Sequence, residues 1–375
     1  MLTREQNRQL THVQPDTAAG RLLRAYWLPI AHPEQLARRN PHPVEVLGER
    51  LALFRTADGV LGLTTDRCAH RGTSLSAGDA DMKTAGRIDR RGVRCPYHGW
   101  LYGPDGQCLE MPGDPNSAAF ARKIKIRAYQ VVERYGFIWA YLGAGEPPAL
   151  PPIDAMARTD GFRVNTMTDW PCNYLQVCEN LVDPVHVSVL HEETDFDDAV
   201  FREMPTVAAQ PTDLGLRIIS GRPGYERQTE YIFPTGIRIA LPFIKPGVQL
   251  MFWVVPLSDT RTRSFHAWFL PREEGVGDEE WNARLKRLDG FLYQYGKEDP
   301  LFHSSKISAQ DKFACESQGV ITDRSVEHLG GTDVGVSLLR RLLREAARDL
   351  DEGRRPRGAA APGAPGDVIR FENVF

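Results

Sequence analysis

Two short segments carry residues that can hold a metal. Cys68-Ala69-His70 writes C-x-H and Cys95-Pro96-Tyr97-His98 writes C-x2-H, so each pairs one thiolate donor with one imidazole. Soft thiolates hold iron in iron–sulfur clusters, and replacing two of four thiolates by neutral imidazoles removes negative charge from one iron and raises the reduction potential. A structural zinc site uses the same residue types. Zinc modules, however, space their thiolates as one close pair and their histidines as another, whereas here each segment gives one of each. The pattern reads as a [2Fe–2S] centre with Cys68, His70, Cys95 and His98 as ligands, working as a one-electron relay. Gly72 and Gly99, just after the ligands, suit tight turns.

A relay needs a destination, and the run from Cys172 to Glu193 offers one. It reads Glu179-x3-Asp183-x2-His186-x4-His191. Two histidines and one carboxylate on one face of an Fe(II) leave positions open for O2 and substrate. The carboxylate need not be local. Asp183 and His186, three apart, project from nearly one face of a helix. His191 lies five residues beyond His186, about 140° round a regular helix, so both reach one metal only if the helix ends, bulges or bends there. Pro184 supplies a reason for such irregularity.

These motifs, with the opening MLTREQNRQLTHV and GRLLRAYWLPIAH, the segment ending CPYHGWLY and the late DRSVEHLGGTDVGV, occur in an order that identifies a family. The chain resembles the α (terminal oxygenase) subunit of a Rieske non-haem iron aromatic ring-hydroxylating oxygenase, in the phthalate dioxygenase-like homo-oligomeric branch, over nearly its whole length. The resemblance implies an α+β fold, with an N-terminal all-β Rieske [2Fe–2S] domain and a C-terminal helix-grip catalytic domain, an antiparallel sheet around a long helix. It makes Cys68, His70, Cys95 and His98 the cluster ligands and His186 and His191 the iron-binding histidines. The family's third iron ligand is an aspartate in a late D-x4-E pattern, which Asp311 to Glu316 fits. Asp195, Asp197, Asp198, Glu316 and Asp323 are rivals on chemistry alone, although the first three sit in an acidic stretch that reads as solvated surface. Asp183 matches a bridging aspartate that links an iron-ligand histidine to a Rieske histidine of the neighbouring subunit, so the active unit would be a homotrimer or hexamer. Asn180 matches a position near the iron that touches substrate or an iron-bound water. One departure is the spacer of twenty-four residues between His70 and Cys95, longer than the family usually has.

The chain has no dinucleotide-binding fingerprint of its own, so NAD(P)H would deliver electrons through a separate reductase, with or without a ferredoxin domain. The implied reaction uses O2 to hydroxylate a small aromatic substrate, most simply a carboxylated one. Attack on a methyl carbon instead would make the chain an O- or N-demethylating monooxygenase. Two further readings are a Rieske electron carrier, which predicts no second iron, and a non-catalytic ligand-binding protein, which predicts a broken triad. Arg217, Arg227 and Arg238 lie on expected strands, and any one pointing inward could pair with a carboxylate. Phe233, Phe243, Phe252 and Trp253 could stack on a ring or simply pack. Arg87, Arg90, Arg91 and Arg94 read as a solvated charged loop or as a docking patch for an electron donor.

Bulk composition agrees with a two-domain enzyme: 375 residues, 42% hydrophobic and 25% charged, with net charge −3, which argues against nucleic acid as a partner. The polar N-terminus has no apolar signal core and no stretch approaches a membrane span, so the expected compartment is the cytoplasm. Six cysteines leave Cys108, Cys172, Cys178 and Cys315 as reduced thiols. Thr3 and Gln6 can cap a first helix, and Asp58-Gly59 can turn a hairpin. EPPALPPID, with four prolines from 147 to 152, marks a linker. The expected organisation is a helical segment over 1–40, a Rieske domain over 41–146, a catalytic domain over 153–352 and a flexible tail over 353–375. Alternating apolar runs from Leu214 onward predict one antiparallel sheet, and 278–296, 307–318 and 332–350 return to helical periodicity, the last capped by Thr332 or Asp333.

Overall fold

The computed structural model describes residues 1–79, 82–113, 115–150, 152–192, 202–241, 246–272, 275–277, 292–293, 304–359, 369 and 371. Asp195, Asp197, Asp198, Phe243 and nearly all of the helix expected over 278–296 lie outside these residues. Leu292–Tyr293, within that span, pairs as a short strand with Ser304–Ser305.

The chain forms two units, residues 27–147 and residues 1–26 with 148–375. The boundary falls in the proline-rich linker. The first 26 residues thus belong with the C-terminal unit, whereas residues 27–40, which the sequence grouped with them, enter the other.

In the unit 27–147, β1 (Trp27–Ala31), β2 (His42–Val46), β3 (Glu49–Arg55), β4 (Leu61–Thr65), β9 (Ala128–Arg134) and β10 (Phe137–Tyr141) make one sheet in the order β1-β10-β9-β4-β3-β2. A second sheet joins β5 (Arg87–Ile88), β6 (Val93–Arg94), β7 (Leu101–Tyr102) and β8 (Cys108–Glu110) in sequence order. Gly59 turns the β3–β4 hairpin at φ +87°, a conformation that only glycine adopts freely. Short helices α3 (Pro33–Arg38) and α4 (Ser117–Ala121) flank the sheets. Phe54, Leu75, Val93, Tyr102 and Met111 form a buried apolar cluster that includes Cys68 and Cys95.

In the other unit, α1 (Arg4–Thr11) opens with the Thr3–Gln6 capping box, and α2 (Ala18–Arg24) follows. After α5 (Asp154–Ala157), the strands β11 (Gly161–Trp170), β12 (Thr206–Pro211), β13 (Gly215–Arg222), β14 (Tyr225–Ile232), β15 (Gly236–Ala240), β16 (Gln249–Ser258) and β17 (Arg261–Pro271) form a seven-stranded antiparallel sheet, ordered β11-β17-β16-β15-β14-β13-β12. The ligand-bearing run is two short helices, α6 (Tyr174–Leu181) and α7 (Val185–Leu190), and α6 packs on β16. α8 (Lys306–Ser317) packs on α6, while the amphipathic α9 (Val334–Asp351) buries Leu338, Leu339, Leu342 and Leu343 and packs on β12, β13 and α2. Asp333 stands at the start of α9, with its carboxylate taking a hydrogen bond from the Gly330 amide and none from the helix. Ile369 pairs with Ile153, so part of the expected flexible tail returns to the fold.

Candidate redox and metal centres

The two cysteine–histidine loops are built alike. Cys68 N–H donates to Thr73 O at 2.9 Å and Cys95 N–H to Trp100 O at 2.8 Å, each cysteine bonding to the residue five positions on. Gly72 N–H returns to Cys68 O at 2.9 Å and Gly99 N–H to Cys95 O at 3.1 Å, and both glycines have φ +74°. An arginine precedes each cysteine and caps the glycine carbonyl: Arg67 to Gly72 O at 3.0 Å and Arg94 to Gly99 O at 2.9 Å. On this common frame the histidine occupies the third position in one loop (His70) and the fourth in the other (His98).

The frame buries the sulfurs and exposes the imidazoles. Cys68 is 3% exposed and Cys95 1%, while His70 and His98 are exposed with ring centroids 4.5 Å apart. Tyr102 accepts from Ala69 N–H at 3.0 Å, and its hydroxyl lies 3.2 Å from Cys68 Sγ, placed to donate to it. The Cys68 thiol is pushed down, first by its hydrogen bond with Cys95 and also by Tyr102, and Cys95 is correspondingly pushed up. Two thiols on the floor and two imidazoles at the rim match the ligand set of a [2Fe–2S] cluster, which these four residues would hold. His70 stacks on Trp100, centroids 4.6 Å apart and 9° from parallel, which fixes one ring. The basic cluster beside the second loop is largely neutralised: Arg94 pairs with Asp89 and Glu110, Arg91 with Glu110, and Arg90 with Asp58.

The second constellation converges as a triad. The chain breaks at residues 182–184 between α6 and α7, with Pro184 at the start of α7, and α7 ends at Leu190 so that His191 caps it. Ending the helix releases His191 from the 140° separation. His186 Nε2 lies 3.3 Å and His191 Nε2 3.1 Å from one oxygen, Asp311 Oδ1 on α8. Their donor atoms all lie within 4.8 Å of one another, so one divalent ion could touch all three at the about 2 Å usual for N and O ligands. Asn180 Nδ2 donates to the same Asp311 oxygen at 3.3 Å.

Electrostatics bind this group together. Burial alone would raise the Asp311 carboxyl, but hydrogen bonds and charge from His186 and His191 outweigh it and hold the group below the usual carboxylate range. Burial would lower His186, yet its bond to Asp311 and the nearby Asp183 raise it. Asp183 Oδ1 accepts from Val185 N–H at 2.9 Å, fixing the entry to α7, while its Oδ2 stands 3.8 Å from His186 Nδ1.

The remaining acids are engaged elsewhere. Glu179 turns from the triad into a buried network, meeting Arg324 at 2.7 Å and Arg340 at 2.6 Å. Glu316 pairs with Lys312 at 2.6 Å, and Asp323 accepts from Ser325. The four remaining cysteines are buried and unlinked, and burial pushes their thiols up, Cys108 to about 11 and Cys172 and Cys178 each to about 12. Such thiols are unreactive.

A pocket opens at the triad and continues across one face of the sheet. Strand alternation decides who lines it: Ile218, Ser220 and Arg222 from β13, Arg227 and Thr229 from β14, Ile239 from β15, Leu250 and Phe252 from β16, and Trp268 from β17. The register pairs Ser220 with Arg227, which puts Arg222 and Arg227 on the same face, diagonally across two strands. Arg217 and Arg238 have the opposite parity and are spent on ion pairs with Glu230 and Asp154. Phe252 lines the pocket, whereas Phe233 and Trp253 pack in the core. Arg222, which the sequence reading passed over, also ties the sheet to α7, donating to Ser188 Oγ at 3.1 Å and Glu203 O at 2.8 Å.

The chain is similar to known proteins over most of its length. The Rieske [2Fe-2S] domain family matches residues 26–130. The chain is 31% identical to the phenoxybenzoate dioxygenase subunit alpha of Ectopseudomonas oleovorans, covering 93% of this chain and 87% of that protein. It is 29% identical to the 5,5'-dehydrodivanillate O-demethylase oxygenase subunit of Sphingobium sp. (strain NBRC 103272 / SYK-6), covering 95% and 83%. Its fold superposes on Pseudomonas putida CBB5 NdmA with caffeine at a TM-score of 0.70 and 21% identity, covering 97% of this chain and 100% of that one. No helix among the described residues is long and apolar enough to cross a membrane. The chain belongs to the Rieske non-haem iron oxygenases, as a terminal oxygenase subunit of a multicomponent oxidoreductase.

Proposed function

We propose that this subunit hydroxylates a small aromatic acid, with Cys68, His70, Cys95 and His98 holding the cluster and His186, His191 and Asp311 holding iron(II). The observation that carries the reading is the convergence of those three side chains at a largely apolar pocket that also contains Arg222 and Arg227. When bound, the iron supplies O2 activation, driven by electrons relayed from the cluster. The apolar side chains from β15, β16 and β17 would hold the ring and exclude water. Arg222 and Arg227 would receive the carboxylate, since two guanidiniums on neighbouring strands suit a planar anion. Asn180, already bonded to Asp311, would orient that ligand beside the substrate.

Asp183 would link His186 to a cluster histidine of a neighbouring subunit, which requires a homotrimer or hexamer. A separate reductase, with or without a ferredoxin, would bring electrons from NAD(P)H to the exposed His70 and His98 edge. The cytoplasm, where NAD(P)H is available, is the compartment we assign. The same residues would serve an O- or N-demethylase if a methyl carbon rather than the ring edge faced the metal, and the name of the Sphingobium relative supports keeping that reading.

The test is O2 uptake by the iron-loaded subunit with a reductase and NADH, over benzoates, phthalates and methoxybenzoates and their neutral amides. Uptake matched by a cis-diol, or by a phenol with formaldehyde, for acids but not amides is the expected result. Equal turnover of acids and amides would remove the acid from the reading.

A further inference from the structure

We propose that Gln310 is a positioning residue for the mononuclear centre, holding the His191 ring in the orientation and tautomer that aim Nε2 at the metal. The proposal rests on reading His186, His191 and Asp311 as the metal ligands. Gln310 and Asp311 are consecutive on α8, and they engage the two nitrogens of one imidazole: Gln310 Oε1 lies 2.8 Å from His191 Nδ1, and Asp311 Oδ1 lies 3.1 Å from Nε2.

With the amide oxygen facing Nδ1, that nitrogen carries the proton and Nε2 keeps a lone pair for a metal. With the amide reversed, Nδ1 would accept, Nε2 would carry the proton, and the ring could not bind. The chemistry of the site therefore demands an acceptor at residue 310. His191 is 1% exposed, so solvent does not take over this task.

The companion histidine is held differently. Among the described residues, His186 Nδ1 meets no side-chain acceptor within hydrogen-bond length, its nearest carboxylate oxygen on Asp183 being 3.8 Å away, and the Asp183 backbone is what bears on the ring. The two rings are thus held by different means, and among the described residues only His191 has a close side-chain acceptor behind it. Because that acceptor is a neutral amide, it orients the ring without adding a second negative charge beside Asp311.

Side chains that orient metal-ligating histidines typically contribute about 10–100-fold to metal affinity. The experiment compares full-length wild type, Gln310→Met, which keeps length and packing but has no strong acceptor, and Gln310→Glu, which can only accept. Each is stripped of mononuclear metal and titrated with Co(II) against a chelator. Co(II) EPR is recorded with the cluster oxidised, and the thermal midpoint is measured alongside.

Gln310→Met is expected to bind Co(II) about 10–100-fold more weakly with an altered EPR signal, unchanged cluster absorption and an unchanged thermal midpoint, while Gln310→Glu keeps near-wild-type affinity. Should Gln310→Met unfold, the Gln310→Glu result decides: loss of Co(II) binding there overturns the acceptor role. Wild-type affinity and signal in Gln310→Met would also overturn it. A wild type whose Co(II) uptake equals that of His186→Ala would instead overturn the ligand reading, and the role of Gln310 with it.

Discussion

His191 Nε2 and Asp311 Oδ1 stand 3.1 Å apart although 120 positions of sequence separate them. His186 reaches the same oxygen from the other end of α7, so a single carboxylate on α8 gathers both imidazoles. Asp311→Ala should therefore release the mononuclear metal and leave the cluster intact, whereas Glu316→Gln, on the same helix but paired with Lys312, should retain both. Metal analysis of the two variants checks this. Equal metal retention would move the third ligand elsewhere.

Asp183 starts α7 through its bond to Val185 N–H and faces His186 with its other oxygen. Asn is isosteric and can keep the Val185 bond. If Asp183 bridges the centres as proposed, Asp183→Asn is expected to retain the full metal content and fold while losing NADH-coupled turnover. Turnover at the wild-type rate would exclude the bridging role.

Arg227→Gln should raise KM for an aromatic acid about 10–100-fold with little change in kcat, the effect of losing one hydrogen bond to a charged group worth about 1.5–3 kcal/mol. Arg222→Gln should be harsher and lower kcat as well, since Arg222 also braces Ser188 on α7. Steady-state kinetics of both variants separate binding from bracing.

How much of this was legible depended on whether the signal was local. The two cysteine–histidine loops were, because each writes its own cysteine, histidine and glycine within five residues. The break that frees His191 was announced by Pro184. Asp311 became readable only through the family's D-x4-E pattern, since nothing local distinguishes it from Asp323. Arg217, Arg227 and Arg238 stayed equivalent in the sequence because side chains alternate along a strand and a shift of one residue exchanges pocket for outer face, and Arg222 lies past the Ser220 end of the run that reads as a strand. Parity is set by pairing between strands, such as Ser220 with Arg227, which no single strand announces.

Glu179 shows a motif residue taken for structure. Burial would raise its carboxyl, but Arg324 and then Arg340 outweigh this and hold it below its ordinary value of 4.5. A depressed carboxylate stabilises the fold above its unfolded-state pKa, and that stability is lost as pH falls through the folded value. Glu179→Ala, which strands the buried Arg324 guanidinium and leaves Arg340 with Glu327 alone, should cost about 3–5 kcal/mol in urea unfolding at pH 7. The gap from wild type should narrow below about pH 4.5 as the carboxylate protonates.

His266 imposes a pH dependence of its own. Burial lowers it from 6.5 to about 3, and its ring, hydrogen-bonded to Ser264 and Thr166, packs 4.3 Å from Phe252 of the pocket wall. Between those values the unfolded chain binds a proton that the folded chain does not. Stability should therefore fall as pH drops below 6.5, by about 1.4 kcal/mol per unit from this group. Urea midpoints of wild type and His266→Gln at pH 7.5 and 5.5 test it, and parallel losses in the two proteins would remove His266 as the cause.

The central claim, two separate redox metals in one chain, is tested most directly by anaerobic iron and sulfide quantification with EPR of the dithionite-reduced protein, for wild type beside His186→Ala. The account predicts three irons and two sulfides per wild-type chain, with the variant losing one iron and keeping the cluster signal. Two irons in both proteins would contradict the oxygenase and leave an electron carrier, and zinc in place of iron would contradict both centres.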